Sequence, residues 1–328
     1  MIASLTGQGF DVQRACLMLG VSVSGYYAWR GRPPSAKTLR HTWLAGEIAQ
    51  VHKDSGGTYG AMRVTAELRL GRGIHVGHNQ IELLMRRLGL KGLPNRRPPR
   101  TARLSKGNTL DLVRRRFGAQ EPDRLWMTDI TEHPAREGKL YCCAVLDAFS
   151  RMVVGWSIDS SQTALLATNA LGMALAQRSP SRQAIIHSDQ GVQFGSWVFS
   201  QKVKDAGLAP SMGDVGTPVD SPHSEAQFKT LKYRPEFREH FDSIEHARAH
   251  CRAFLGWHNH EHRHSGIGLM TPAAFHHGHG KQLHAARAAV LEAAYAAHPE
   301  RFVRKQPVPP KLPTAAWINK PKEAAAAH

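Results

Sequence analysis

Apolar and polar positions alternate in ways that divide the chain into helical, irregular and strand-rich stretches. Asp11 to Leu19 and Ser22 to Trp29 carry apolar residues at helical spacing, with Gly20 as the break. Residues 1–45 therefore predict a short helical unit with the apolar–turn–apolar rhythm of a helix-turn-helix, a rhythm that a plain helical hairpin shares. The theme returns over residues 46–90. GAMRVTAELRL is an amphipathic helix and Gly71, Arg72 and Gly73 interrupt it. Ile81, Leu84, Met85 and Leu88 then fall at i, i+3, i+4 and i+7, one face of a second helix. Periodicity stops over residues 91–118, where Pro, Gly and basic residues predict an extended linker able to meet phosphates.

From 119 to 280 the period changes. LWMTDITEHP, KLYCCAVLDAF and MVVGWSID predict three consecutive strands, rich in β-branched and aromatic residues. A helix over 162–177, a buried strand over 183–189, a helix over 194–208 and a fifth strand at 210–213 follow. Further helices are expected over 221–232 and 243–260. The class is α/β: a mixed sheet flanked by helices and preceded by small all-α units. Residues 281–328 predict an Ala-rich helix and a Pro-rich tail.

Charge adds a partner. Lys and Arg number 43 against 26 acids, a formal net charge of +17, which points to a polyanion, most directly nucleic acid. Arg63, Arg86 and Arg87, with Arg69 and Arg72, are expected on the solvent side of the second helical unit. Cys16, Cys142, Cys143 and Cys251 form no Cys-x-x-Cys pair, so a reduced, cytoplasmic chain is expected. No apolar run approaches a membrane span, no secretion signal opens the sequence, and no Gly-rich nucleotide loop implies ATP.

Three acids stand out by position. Asp129 lies inside the apolar strand Trp126-Met127-Thr128-Asp129-Ile130-Thr131, where an unpaired buried carboxylate is costly. Asp189 closes the strand AIIHSD just before Gly191, and carboxyl ends of strands collect functional groups in open α/β sheets. Glu225 follows Ser221 and Pro222, one position too late to serve a capping box. Glu225, Phe228, Lys229 and Lys232 share one helical face. Each acid also has a local explanation: an exposed strand face, a turn, a solvated Glu–Lys pair. Together, three carboxylates suit hard divalent cations, which prefer oxygen ligands and clamp a scissile phosphate in pairs. Lys229 and Lys232 would meet the DNA. His258, His260, His262 and His264 alternate in a way that fits a DNA-facing strip better than helical zinc ligands. Cys142 and Cys143 should point to opposite faces of their strand.

These residues resemble the DDE motif of OrfB-type insertion-sequence transposases, the insertion-sequence-three family related to retroviral integrases. Asp189 and Glu225 are separated by 35 residues (225 − 189 − 1), the family's interval. Val145 to Trp156 is similar to the family's second and third strands. Trp257-His258-Asn259, Arg263-His264-Ser265 and Thr271-Pro272 resemble its C-terminal signature. Gly57-Thr58-Tyr59-Gly60 with Arg63-Val64, and Gly25-Tyr26-Tyr27, resemble its two helix-turn-helix units. Ser221-Pro222 and Ala226-Gln227-Phe228 stand where the family often has Asp-Asn-Ala and Ser-Phe-Phe. The resemblance implies a ribonuclease-H-like core over 119–280, with a five-stranded mixed sheet. It implies Asp129, Asp189 and Glu225 as catalytic metal ligands for two Mg²⁺, with Mn²⁺ able to substitute. It also implies DNA contacts from Gln190, Lys229, Lys232, Arg63, Arg86, Arg87, Arg263 and His264. Hydrolysis at an element end would free a 3′-hydroxyl, which attacks another phosphodiester through a copy-out, paste-in route. Expected partners are terminal repeats, target DNA, further copies of the chain, and an upstream reading-frame product with a helix-turn-helix and leucine zipper. A catalytically dead DNA-binding relic remains the competing expectation.

Overall fold

Short polar caps start most of the helices. In the computed structural model, Asp11 accepts from the Gln13 and Arg14 amides at the start of α2 (Val12–Met18), after α1 (Ile2–Gly7). Ser22 caps α3 (Val23–Arg30) and Ser35 caps α4 (Ala36–Asp54). The structure describes residues 1–93, 117–136, 138–180, 184–212, 228, 230–232, 234, 237, 240–302 and 305–318. Most of the linker expected over 91–118 lies outside them.

Helix α4 runs continuously across the 45/46 boundary suggested by composition. With α5 (Ala61–Leu70) and α6 (His78–Arg87) it encloses a core of Leu44, Ile48, Val51, Val64, Leu68, Ile81, Leu84 and Met85. The apolar face read from 81 to 88 is thus the buried one, except that Leu88 is exposed.

The second core is a five-stranded sheet in the order β4-β3-β2-β5-β6. Its strands are β2 (Leu125–Ala135), β3 (Gly138–Asp147), β4 (Val153–Asp159), β5 (Ile185–Ser188) and β6 (Ala209–Met212). The first three form an antiparallel meander, and β5 and β6 join parallel on the other side of β2. Helices α7 (Ala164–Gln177) and α8 (Trp197–Asp205) cover one face, over Trp126, Cys143, Val145 and Ile186. A Cβ at Gly155 would come within 2.6 Å of the Ala174 amide, so glycine lets α7 lie against β4. The opposite face packs Ala144, Leu146 and Val153 against Phe228, Leu231, Phe254 and Leu255. Phe228 and residues 230–232 are helical, and Phe254 and Leu255 belong to α9 (Ile244–His260). Cys142 and Cys143 do face opposite sides.

Two features differ from the sequence reading. The tail returns: β7 (Ala316–Ile318) pairs antiparallel with β1 (Phe117–Ala119). Both strands are three residues long and lie about 200 positions apart, so no local pattern announces them. The expected DNA-facing histidine strip is divided, because His258 and His262 are buried at 2% and 3% exposure. They follow the helical face of α9 and the turn after it, not an extended ribbon. Among the described residues no helix is long and apolar enough to cross a membrane.

Candidate active site

Strand register brings the first two acids together. Met127 pairs with His187 at the last rung of the parallel β2–β5 ladder, and Asp129 and Asp189 each lie two residues beyond it. Adjacent strands are about 4.8 Å apart. The carboxylates also share an effect: both act on the Cys143 thiol, whose pKa is pushed up to about 12, first by burial and then by these charges. Asp129 is half-buried and accepts the Ile130 amide at 2.8 Å. Asp189 is exposed and accepts the Gly191 amide at 3.1 Å. A Cβ at Gly191 would stand 3.1 Å from that same Asp189 oxygen, so glycine permits the tight turn. Beneath them His187 is buried and shares a hydrogen bond with Ser211 at 3.1 Å.

Glu225 and Lys229 lie outside the described residues. Phe228, three positions after Glu225, is buried against Ala144, the cross-strand partner of Asp129. Lys232 is exposed and donates to the Glu132 carbonyl at 3.1 Å, beside the same strand. Gln190 is half-buried next to Asp189.

The arginines expected to face DNA separate into two groups. Arg86 and Arg87 are exposed at the end of α6, with Arg86 paired to Glu82 one turn earlier. Arg63 lies over the Tyr59 ring, 5.8 Å from its centroid. Arg263 pairs with Glu67 at 2.7 Å, and its amide donates to the Tyr59 hydroxyl. Burial pushes that phenol up to about 12, so it stays protonated. His264 is half-buried and caps the 3₁₀ turn Ser265–Ile267. Arg69 and Arg72 are likewise committed within the unit, to the Val76 carbonyl and to Glu47 and Asp54.

One cluster was not legible in the sequence. Asp123, Asp147 and His276 bring ligand atoms within 4.8 Å of one another. Asp147 is fully buried and accepts from the Ser150 amide, the Ser150 hydroxyl and the Asp123 amide. His276, in α10 (Pro272–His276), sits 3.4 Å from Asp123 and 3.8 Å from Asp147. Burial alone would lower its pKa, but the two carboxylates overcome that and raise it to about 9. The result is an imidazolium between two carboxylates that also accept from the Ser150 amide and hydroxyl, the Asp123 amide and the Trp126 indole. Asp147 pairs with Trp126, three residues and about 10 Å from Asp129, on the opposite face of β2. The cluster locks α10 to the sheet and is separate from the Asp129–Asp189 pair. Asp147 and Ser150 sit within one turn of each other, but nothing in spacing points to Asp123 or His276.

A sheet of this order, with helical units ahead of it, defines an integrase-type core. Residues 119–218 and 206–272 match the integrase core domain family, and residues 41–98 match the HTH-like domain. The chain belongs to the insertion-sequence transposases. It is 32% identical over 262 residues to the putative transposase for insertion sequence element IS986/IS6110 of Mycobacterium tuberculosis, covering 77% of this chain and 93% of that protein. It is 33% identical to transposase InsF for insertion sequence IS3A of Escherichia coli, covering 81% and 94%. Among solved structures it is similar to the HTLV-2 integrase catalytic core domain in complex with magnesium (dimeric form), at 20% identity and a TM-score of 0.35, over 48% of this chain and 98% of that one.

Proposed function

We propose that the chain cleaves and joins DNA strands at insertion-sequence ends through Asp129, Asp189 and Glu225. The observation that carries this reading is that Asp129 and Asp189 each lie two residues beyond the last β2–β5 pair, Met127 and His187, and that both charges act on the Cys143 thiol. Each aspartate has one oxygen fixed by a backbone amide, which orients the carboxylate. The donors are hard oxygens, the type that Mg²⁺ selects. When bound by the three acids, two Mg²⁺ ions would supply charge neutralisation at the scissile phosphate during in-line displacement. The burial of Phe228 against the partner of Asp129 supports Glu225 as the third acid.

The chain's other residues bind and orient DNA. Lys232 and Gln190 stand beside Glu132 and Asp189, Lys229 shares the sequence face of Glu225 and Lys232, and exposed Arg86 and Arg87 extend the basic surface onto the helix-turn-helix unit. The chain acts in the cytoplasm on terminal repeats and target DNA, as an oligomer, together with the upstream reading-frame product. A strand-transfer assay with labelled element ends and Mg²⁺ tests the reading. Asp129→Asn should lower joining by at least about a hundredfold while DNA binding persists. Joining equal to that of the unaltered chain overturns it.

A further inference from the structure

The first helical unit holds a cleft that the proposed chemistry does not use. It has a volume of ≈ 610 Å³ and lies between α3 and the start of α4, within the range of small-ligand sites. Tyr26, Trp29, Arg30, Arg32, Ser35 and Thr38 line it.

Four observations give the cleft a chemical identity. Trp29 is 65% exposed, although a large apolar ring normally seeks cover. Arg30 and Arg32 are exposed at the same opening, and Asp11 is the one acid among residues 1–45 against five Lys and Arg. The 19-residue helix α4 begins at Ser35 and Thr38. Ser35 caps the Thr38 amide, while the Ala36 and Lys37 amides have no acceptor within the helix. Finally, Tyr26 is only 5% exposed, and its buried hydroxyl has no hydrogen-bond partner among the described residues. A buried hydroxyl without a partner is costly, and the Tyr26 side chain that carries it forms one wall of the cleft.

We infer that this cleft takes one unpaired nucleotide of a DNA strand. Its base stacks on the Trp29 indole, and its phosphate meets Arg30, Arg32 and the amides that open α4. A stacking face suits any base, so the site reads strandedness instead of sequence. A base inside a duplex is covered on both faces and only a terminal pair leaves one open, while an unpaired nucleotide can also turn its phosphate toward Arg30 and Arg32, so the site favours frayed or overhanging ends. The inference rests on the chain being a DNA-binding protein, and deepens that reading.

The test uses the full chain carrying Asp129→Asn, in chelator without Mg²⁺, so that binding is read apart from cleavage. Fluorescence anisotropy compares a blunt duplex with the same duplex bearing unpaired nucleotides at one end. The overhang should bind about tenfold tighter than the blunt duplex. Trp29→Ala should abolish that preference while blunt-end affinity stays within about twofold, and Trp29→Phe should restore much of it. Arg30→Ala with Arg32→Ala should weaken overhang binding and flatten its salt dependence. Circular dichroism confirms that each variant keeps its helices. Equal affinity for the two duplexes, or a preference that survives Trp29→Ala, overturns the inference and leaves the Asp129 assignment standing. Undiminished joining by Asp129→Asn in the strand-transfer assay, with the overhang preference intact, supports the cleft and refutes the active site.

Discussion

Arg263 reaches Glu67 at 2.7 Å, joining the segment after α9 to the middle of α5, 196 positions away. Both side chains are largely covered, at 14% and 26% exposure. Beside this pair the Arg263 amide donates to Tyr59, and Trp257 packs against the helical unit's core while the Arg234 guanidinium lies 4.0 Å from its ring. The stretch from Trp257 to Arg263 therefore fastens the helix-turn-helix unit to the sheet domain.

Arg263→Ala should cost about 1–3 kcal/mol in urea unfolding, the range for a hydrogen bond to a charged group. A double-mutant cycle with Glu67→Ala should give a coupling of about 1–2 kcal/mol. Strict additivity of the two single variants would show that the pair contributes nothing.

Asp189 and Asp147 should respond in opposite ways. Asp147→Ala removes the buried acceptor of three hydrogen bonds and strands His276, so stability should fall by about 3–5 kcal/mol. Asp189→Asn changes an exposed carboxylate, so stability should shift by less than about 0.5 kcal/mol while strand joining is lost. Thermal melts beside the joining assay separate the two. A stable Asp147→Ala chain would contradict the lock.

Two histidines shape the pH dependence from opposite sides. His276 has a folded pKa of about 9, above the ordinary value of 6.5. Its contribution, roughly 3 kcal/mol at most, is full below pH 6.5 and is lost as pH rises through about 9. Asp123, Asp147 and the Ser150 hydroxyl face its ring. His258 is buried in the interface of α9 with the sheet, and burial lowers its pKa to about 4. It is neutral in the fold, so stability declines as pH falls from 6.5 toward about 4. Urea midpoints should peak near neutrality. His276→Asn should flatten the alkaline limb alone, and an unchanged alkaline limb would refute the ion-pair lock.

Asn259 completes an edge strand. Its side chain accepts from the Val153 amide and donates to the Val153 carbonyl, each at 2.9 Å, standing in for a neighbouring strand beside β4. Asn259→Ala should cost about 2–3 kcal/mol and promote association through the uncovered edge. Chemical unfolding and light scattering read both effects. A monodisperse variant of undiminished stability would assign Asn259 another role.

Much of this was legible in advance. The strands around Asp129 and Asp189 could be read because their apolar residues form continuous runs ended by polar turns, and the period of two then fixes which residues share a face. Helix faces such as Ile81, Leu84 and Met85 follow from the 3.6-residue repeat in the same way. The basic residues were read less well. Net charge counts cations without saying which ones already hold a partner, so Arg63 and Arg263 looked equivalent to Arg86 until Tyr59 and Glu67 were seen beside them.

Local periodicity, caps and turns are properties of neighbouring residues, so the chain alone determined its α/β class and the succession of strands and helices from Leu125 to Met212. Tertiary structure decided what depends on partners far along the chain: the β1–β7 pairing, the Glu67–Arg263 bridge, and the imidazolium of His276 between Asp123 and Asp147. Each of those contacts has an energy set by burial and geometry at the meeting point, and neither quantity exists until the separate segments have packed.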